Sequence, residues 1–116
     1  HSFGHAIETF CNYDNSCLHG EAVSIGMLLA FEFSEDLGIC PPEDVVMVKR
    51  HFEKLGMMLK PPFKITADEM FNLMLRDNKN IDAEMNLILA KGIGKSFICK
   101  NVDKNAVKAF LSRRFG

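Results

Sequence analysis

Tryptophan is absent from this 116-residue sequence and tyrosine occurs once. Aromatic platforms on which bases could stack are therefore scarce. Charge of one sign is not in excess either. Fourteen Lys and Arg face fifteen Asp and Glu, for a formal net charge of −1. A nucleic-acid partner calls for a basic surface, so that class of function is excluded. The four cysteines, Cys11, Cys17, Cys40 and Cys99, form no C-x-x-C pair and lack zinc-finger spacing. They read as reduced, mostly buried thiols of a cytoplasmic protein. Cys11 and Cys17 flank a loop, but no structural disulfide is expected between them.

Long hydrophobic runs are missing too. Ala22 to Phe31 is too short to span a bilayer, and Ser24 and Gly26 interrupt it. No membrane partner is expected. A charged start, an apolar core and a cleavage site are all lacking, so no signal peptide is read. The chain opens on His1 rather than Met, which reads as a piece of a larger protein. No internal repeat or low-complexity segment is found. Gly92-Ile93-Gly94 is no nucleotide fingerprint, because no third glycine opens a helix after it.

Hydrophobic residues make up 47% of the chain, enough for one domain with a real core. The pattern predicts a mostly α fold with one small β-hairpin. Ser2 to Phe10 reads as a short helix with Phe3, Ala6, Ile7 and Phe10 facing a core. Asn12 to Ser16 reads as a polar loop. Leu18 to Leu37 reads as a long helix, apolar nearly all round and so buried, with Gly26 at a close helix crossing and Gly38 as its stop. A third helix opens at Pro41 and Pro42, carries the stripe Val45, Val48, Phe52 and Leu55, and ends at Gly56. Lys60, Pro61 and Pro62 form a stiff linker. Thr66 and Glu69 make a capping box for a helix with Met70, Phe71, Leu73, Met74 and Leu75. Arg76 to Asn80 reads as a polar turn. Strands are expected at Met85 to Ala90 and Lys95 to Cys99, and Asp103 caps a last helix with Ala106, Val107, Phe110 and Leu111 turned inward.

Chemistry concentrates in His1 to Glu21, which holds three of the four histidines. His1 and His5 are one helical turn apart on one face, and His19 precedes the long apolar helix. Such histidines can converge on a metal or an anion. The zincin pattern is absent, because Ser2 stands where its Glu would be. His51 lies among charges and reads as a solvated surface residue.

Four blocks, HSFGHAIE, LHGEAVSIGM, RDNKN and LILAKGIGKS, together resemble the C-terminal half of the 3-dehydroquinate synthase family, from the first residue to about Val102. That family belongs to the sugar-phosphate cyclases and is more distantly similar to the metal-dependent alcohol and glycerol dehydrogenases. The resemblance implies a helical C-terminal domain over residues 1–116, with an N-terminal NAD-binding α/β domain absent from this chain. It assigns His1 and His19 as ligands of Zn2+ (or Co2+), with a third ligand, a glutamate, lying upstream. Glu21 is not that glutamate and reads as an acid supporting the helix start or a ligand from behind. His5 falls on the family's substrate-binding and proton-transferring histidine. Lys79 falls on the last lysine of an Asp-Lys-Lys segment that meets the substrate phosphate. Asn78 replaces the middle lysine, and Ser2 stands where Thr is common.

The implied substrate is a small sugar phosphate, 3-deoxy-D-arabino-heptulosonate 7-phosphate, converted to 3-dehydroquinate and phosphate in the shikimate pathway. NAD+ oxidises a ring hydroxyl, phosphate leaves by elimination, the hydride returns, and an aldol step closes the carbocycle. The family is commonly a homodimer as full-length protein. The alternatives are another cyclase with a different product, or a non-catalytic helical module that binds a metal or a partner. The isolated residues are expected to be inactive and to expose apolar surface.

Overall fold

The computed structural model describes residues 2–14, 19–56, 65–78, 84–92 and 94–115, several of them, His5 and His19 included, by backbone alone. The elements are helices α1 (Ser2–Asp14), α2 (His19–Asp36), α3 (Pro42–Lys54) and α4 (Ala67–Asn78), strands β1 (Glu84–Gly92) and β2 (Lys95–Asp103), and helix α5 (Lys104–Phe115). The two strands pair antiparallel, with Ile88 opposite Ile98, as the hairpin pattern predicts. Both strands run longer than the alternating residues suggest. Register shifts between Met85 and Leu87 and between Ala90 and Gly92 mark irregularities that let the ladder continue.

Helix α2 is the central element. It packs against α1, α3, α5 and β1. Its buried side carries Ala22, Ile25, Leu28, Leu29 and Phe33. Phe33 meets Phe3 of α1 and Phe110 of α5, with centroid separations of 6.1 Å and 5.1 Å. Phe3 and Phe110 are 5.9 Å apart and nearly edge-on. Three rings from three helices thus close on one another, the Phe3 pairs edge-to-face, as aromatic quadrupoles favour, and the Phe33–Phe110 pair tilted at 47°. Met70, Met74, Leu87, Leu89, Val107 and Leu111 complete this core.

Helix α2 departs from its predicted burial on one stripe. Val23 is 41% exposed and Met27 48% exposed, one turn apart. The sequence shows that the helix is apolar all round, but neighbours cover only part of it. Helix α3 matches expectation at Val45, Val48 and Phe52, all buried, and differs at Leu55, which is 61% exposed. Leu55 lies beyond the last helical residue, as the C-cap, and so leaves the stripe.

The predicted stops hold. Gly38 has φ +73°. Its N–H donates to the Glu35 carbonyl, and the Ile39 N–H donates to the Ser34 carbonyl. That pair of bonds is the Schellman arrangement, which needs a left-handed residue. At α4, the Glu69 N–H donates to Thr66 Oγ1 and the Thr66 N–H donates to Glu69 Oε1, both at 3.1 Å. The capping box is therefore reciprocal. At α5, the Asn105 N–H donates to Asp103 Oδ1.

Two helices run into residues predicted to be loop. Helix α1 runs on through Asn12 and Tyr13 to Asp14, and α4 runs through Arg76 and Asp77 to Asn78. Polar residues are tolerated in a last helical turn, where composition resembles that of a loop. The Lys60-Pro61-Pro62 linker lies outside the described residues.

Ser34, fully buried, ties α2 to the hairpin. Its hydroxyl donates to the Ala30 carbonyl at 2.6 Å and accepts from the Ala90 N–H at 3.1 Å. Ser34→Ala removes that acceptor and leaves a buried amide unsatisfied. The expected cost is about 1–2 kcal/mol, read from chemical denaturation. Protection of the Ala90 amide against hydrogen exchange falls with it.

Candidate active site

The candidate site begins at the crossing of α1 and α2. A β-carbon on Gly26 would stand 2.5 Å from the Gly4 Cα and 2.6 Å from the Gly4 nitrogen. Two backbones therefore touch where a side chain would keep them apart, as the sequence reading of Gly26 expects. A β-carbon on Gly4 would lie 3.5 Å from the Ala22 carbonyl oxygen. His5 follows Gly4 directly, and His19 opens α2 one turn before Ala22. The crossing packs α1, which carries His5, against α2, which His19 opens.

The remaining candidates are placed less fully. His1 and Lys79 lie outside the described residues, as do the side chains of His5, His19 and Glu21. Glu21 stands in the first turn of α2, where an acid complements the helix dipole. Lys79 follows Asn78, the last residue of α4, and α4 packs against α1. His51 is exposed on α3, as expected. Among the described residues, no group of three His, Cys, Asp or Glu could hold a metal ion. The candidate imidazoles are not among the residues to which that statement applies.

The acids at the far end of α2 are committed to structure rather than to a ligand. Glu32 accepts from Arg114 Nε at 3.0 Å and lies 3.9 Å from Lys49 Nζ. Asp36 pairs with Arg113. These links fasten α5 and α3 to α2. Cys40 and Cys99 are free thiols. Burial, with Asp44 and Glu35 adding to it, pushes the Cys40 thiol up. Cys40 therefore stays protonated at neutral pH and makes a poor nucleophile. A pairing of Cys11 with Cys17 lies outside the described side chains. No helix of the described residues is long and apolar enough to cross a membrane.

What sequence reading missed is an apolar groove beside α2. Met27, Phe31, Met47, Val48 and Phe52 line a cavity of about 740 Å³. Its signal was the Val23 and Met27 stripe, which only the packing shows to be open.

The family model described as 3-dehydroquinate synthase C-terminal matches residues 1–80. The chain belongs to the 3-dehydroquinate synthase C-terminal family. A 3-dehydroquinate synthase from Ruegeria pomeroyi is 41% identical over 115 residues, covering 96% of this chain and 31% of that protein. The chain thus spans about a third of the length of such relatives. Among solved structures, a 2-deoxy-scyllo-inosose synthase complexed with carbaglucose-6-phosphate, NAD+ and Co2+ matches with a TM-score of 0.81 and 27% identity, over 97% of this chain and 33% of the other. The 2-epi-5-epi-valiolone synthase of Streptomyces hygroscopicus, with NAD+ and Zn2+ bound, matches with a TM-score of 0.76 at 24% identity, over 97% and 32% of the two chains. That last likeness carries the fold alone. The mostly α architecture with its hairpin is therefore the sugar-phosphate cyclase fold expected from the sequence blocks.

Proposed function

We propose that this chain is the metal- and substrate-binding part of a 3-dehydroquinate synthase, which converts 3-deoxy-D-arabino-heptulosonate 7-phosphate to 3-dehydroquinate and phosphate. The observation that carries the reading is the family match over residues 1–80, and the Gly4–Gly26 crossing, which packs the helix bearing His5 against the helix that His19 opens, supports it. In this reading His1 and His19 hold a divalent metal. Two imidazoles are a donor set suited to Zn2+ or Co2+, and the third ligand comes from outside these residues. The solved relative holding NAD+ and Co2+ supports the same cofactors here. When bound, the metal would polarise the hydroxyl being oxidised, and NAD+ would carry the hydride.

This chain's own residues supply the rest. His5 takes and returns the protons of the elimination, because imidazole titrates close to neutral pH. Lys79 holds the substrate phosphate as a compact point charge. The dinucleotide is held by a separate N-terminal domain, and the full-length enzyme is a cytoplasmic homodimer. A second reading, another sugar-phosphate cyclase, has the fold match to 2-deoxy-scyllo-inosose synthase in its favour. The higher identity to the Ruegeria enzyme supports the dehydroquinate reading over it.

The test is phosphate release from the heptulosonate phosphate by the full-length protein with NAD+ and Zn2+. Turnover that falls about a hundredfold or more in His5→Ala is the expected result. No phosphate release by the intact, metal-loaded protein contradicts the reading and favours another cyclase.

A further inference from the structure

The groove beside α2 has the make-up of a second binding site. At about 740 Å³, its cavity falls in the range of roughly 300–1,000 Å³ typical of small-molecule pockets. The floor is apolar: Phe31 from α2, and Val48 and Phe52 from α3. Two methionines stand at its mouth, Met27 at 48% and Met47 at 58% exposure. Exposed methionines beside an apolar floor make a surface that adapts to a ligand's shape. A smaller cavity of about 450 Å³ continues it along α2 past Val23 and shares Met27, Phe31, Ala90 and Ser96 with it.

The polar lining is of one sign. The cations Arg50 and Lys54 of α3 and Lys95 of the hairpin ring the larger cavity beside His51, with no carboxylate among its described lining residues. None of these three cations is engaged in an ion pair among the described residues, whereas Lys49, Arg113 and Arg114 are. Two carboxylates border the site, Glu8 in the smaller cavity and Asp44 beside Gly92, and each has an interaction of its own. Asp44 Oδ2 lies 2.8 Å from where a β-carbon on Gly92 would stand. In a chain with one more acid than base, cations left free around an apolar cavity favour an anion with a hydrophobic body.

We propose that this groove binds a small amphipathic anion, its alkyl or aryl body on Phe31, Val48 and Phe52 and its anionic head at Arg50, Lys54 and Lys95. The groove draws on the latter part of α2, on α3 and on the hairpin turn. The residues proposed to touch the anion are all in the larger cavity and include none of the candidate catalytic residues, although the smaller cavity reaches the Gly4–Gly26 crossing.

The experiment uses the full-length protein with 8-anilinonaphthalene-1-sulfonate as fluorescent probe, displaced by decanoate or by decyl alcohol. Saturable probe binding by the folded protein is expected, with decanoate displacing it about tenfold more tightly than the alcohol. The double variant Arg50→Glu/Lys54→Glu should lose that preference while its thermal unfolding stays unchanged, since both residues are exposed. Met47→Glu should weaken both competitors. Equal affinity for alcohol and acid overturns the proposal, as does a decanoate preference that survives the double variant. Absence of saturable probe binding also overturns it, because the groove is then covered by another part of the protein.

Discussion

Replacing Phe33 with alanine is expected to cost about 4 kcal/mol of folding stability, a large share of what a domain of this size has. Phe33 is 1% exposed. Its ring is the meeting point of α1, α2 and α5, in contact with both Phe3 and Phe110. Truncation removes its buried apolar area, leaves a cavity between three helices, and deletes two ring–ring contacts. The Arg114–Glu32 and Arg113–Asp36 pairs tie α5 to α2 beside this point, which opposes their collapse into the space left. Phe33→Leu should recover a good part of the loss, because it keeps most of the volume. Urea unfolding of the three proteins gives the values. A Phe33→Ala loss below about 1 kcal/mol would mean that the site relaxes freely and that the ring cluster is not a keystone.

The second large effect is asymmetric. Gly26→Ala should destabilise the protein by about 2–3 kcal/mol, whereas Gly4→Ala should be neutral or slightly stabilising. Both glycines sit inside helices, where alanine is intrinsically better by about 1 kcal/mol. At Gly26 that gain is overwhelmed. The new β-carbon would meet the Gly4 Cα and nitrogen at 2.5 Å and 2.6 Å, and backbone cannot swing aside. At Gly4 the new atom would meet the Ala22 oxygen at 3.5 Å and the Gly26 Cα at 3.9 Å, which is ordinary contact. Because the two glycines face each other, the size of this contrast reports directly on the crossing. Equal effects from the two substitutions would show that the crossing is not as close as the backbone separations indicate. Gly26→Ala should also reduce any turnover, since it parts the helices that carry His5 and His19.

Much of this fold is legible in the sequence because its signals are local. Thr66 and Glu69 announce a helix start through hydrogen bonds within four residues, and the structure makes both. Gly38 announces a stop because few other residues accept its φ of +73°. The inward residues Val107, Phe110 and Leu111 follow from helical period alone. What was not legible depends on partners distant in sequence. The Ser34 to Ala90 bond joins residues 56 apart, so a buried serine reads as a polar helix end until the hairpin is in place. The exposed Val23 and Met27 read as core because nothing local reveals that the stripe is left uncovered.

The site divides in the same way. Spacing alone shows three histidines that could share a metal and does not rank them. The separation of His1 and His19 as ligands from His5 as proton carrier comes from family resemblance, and so does the role of Lys79. The structure adds the Gly4–Gly26 crossing, which packs α1 against α2.

The most direct test of this account is metal retention by the full-length protein. Wild type, His1→Ala, His19→Ala and His5→Ala would be loaded with Co2+, dialysed against a weak chelator, and assayed for bound cobalt and its visible absorption. The account predicts that His1→Ala and His19→Ala each lose affinity by roughly a hundredfold or more. His5→Ala should keep the metal and its spectrum while losing phosphate release. Retention of cobalt with an unchanged spectrum in either His1→Ala or His19→Ala would remove that residue from the metal site and contradict the account.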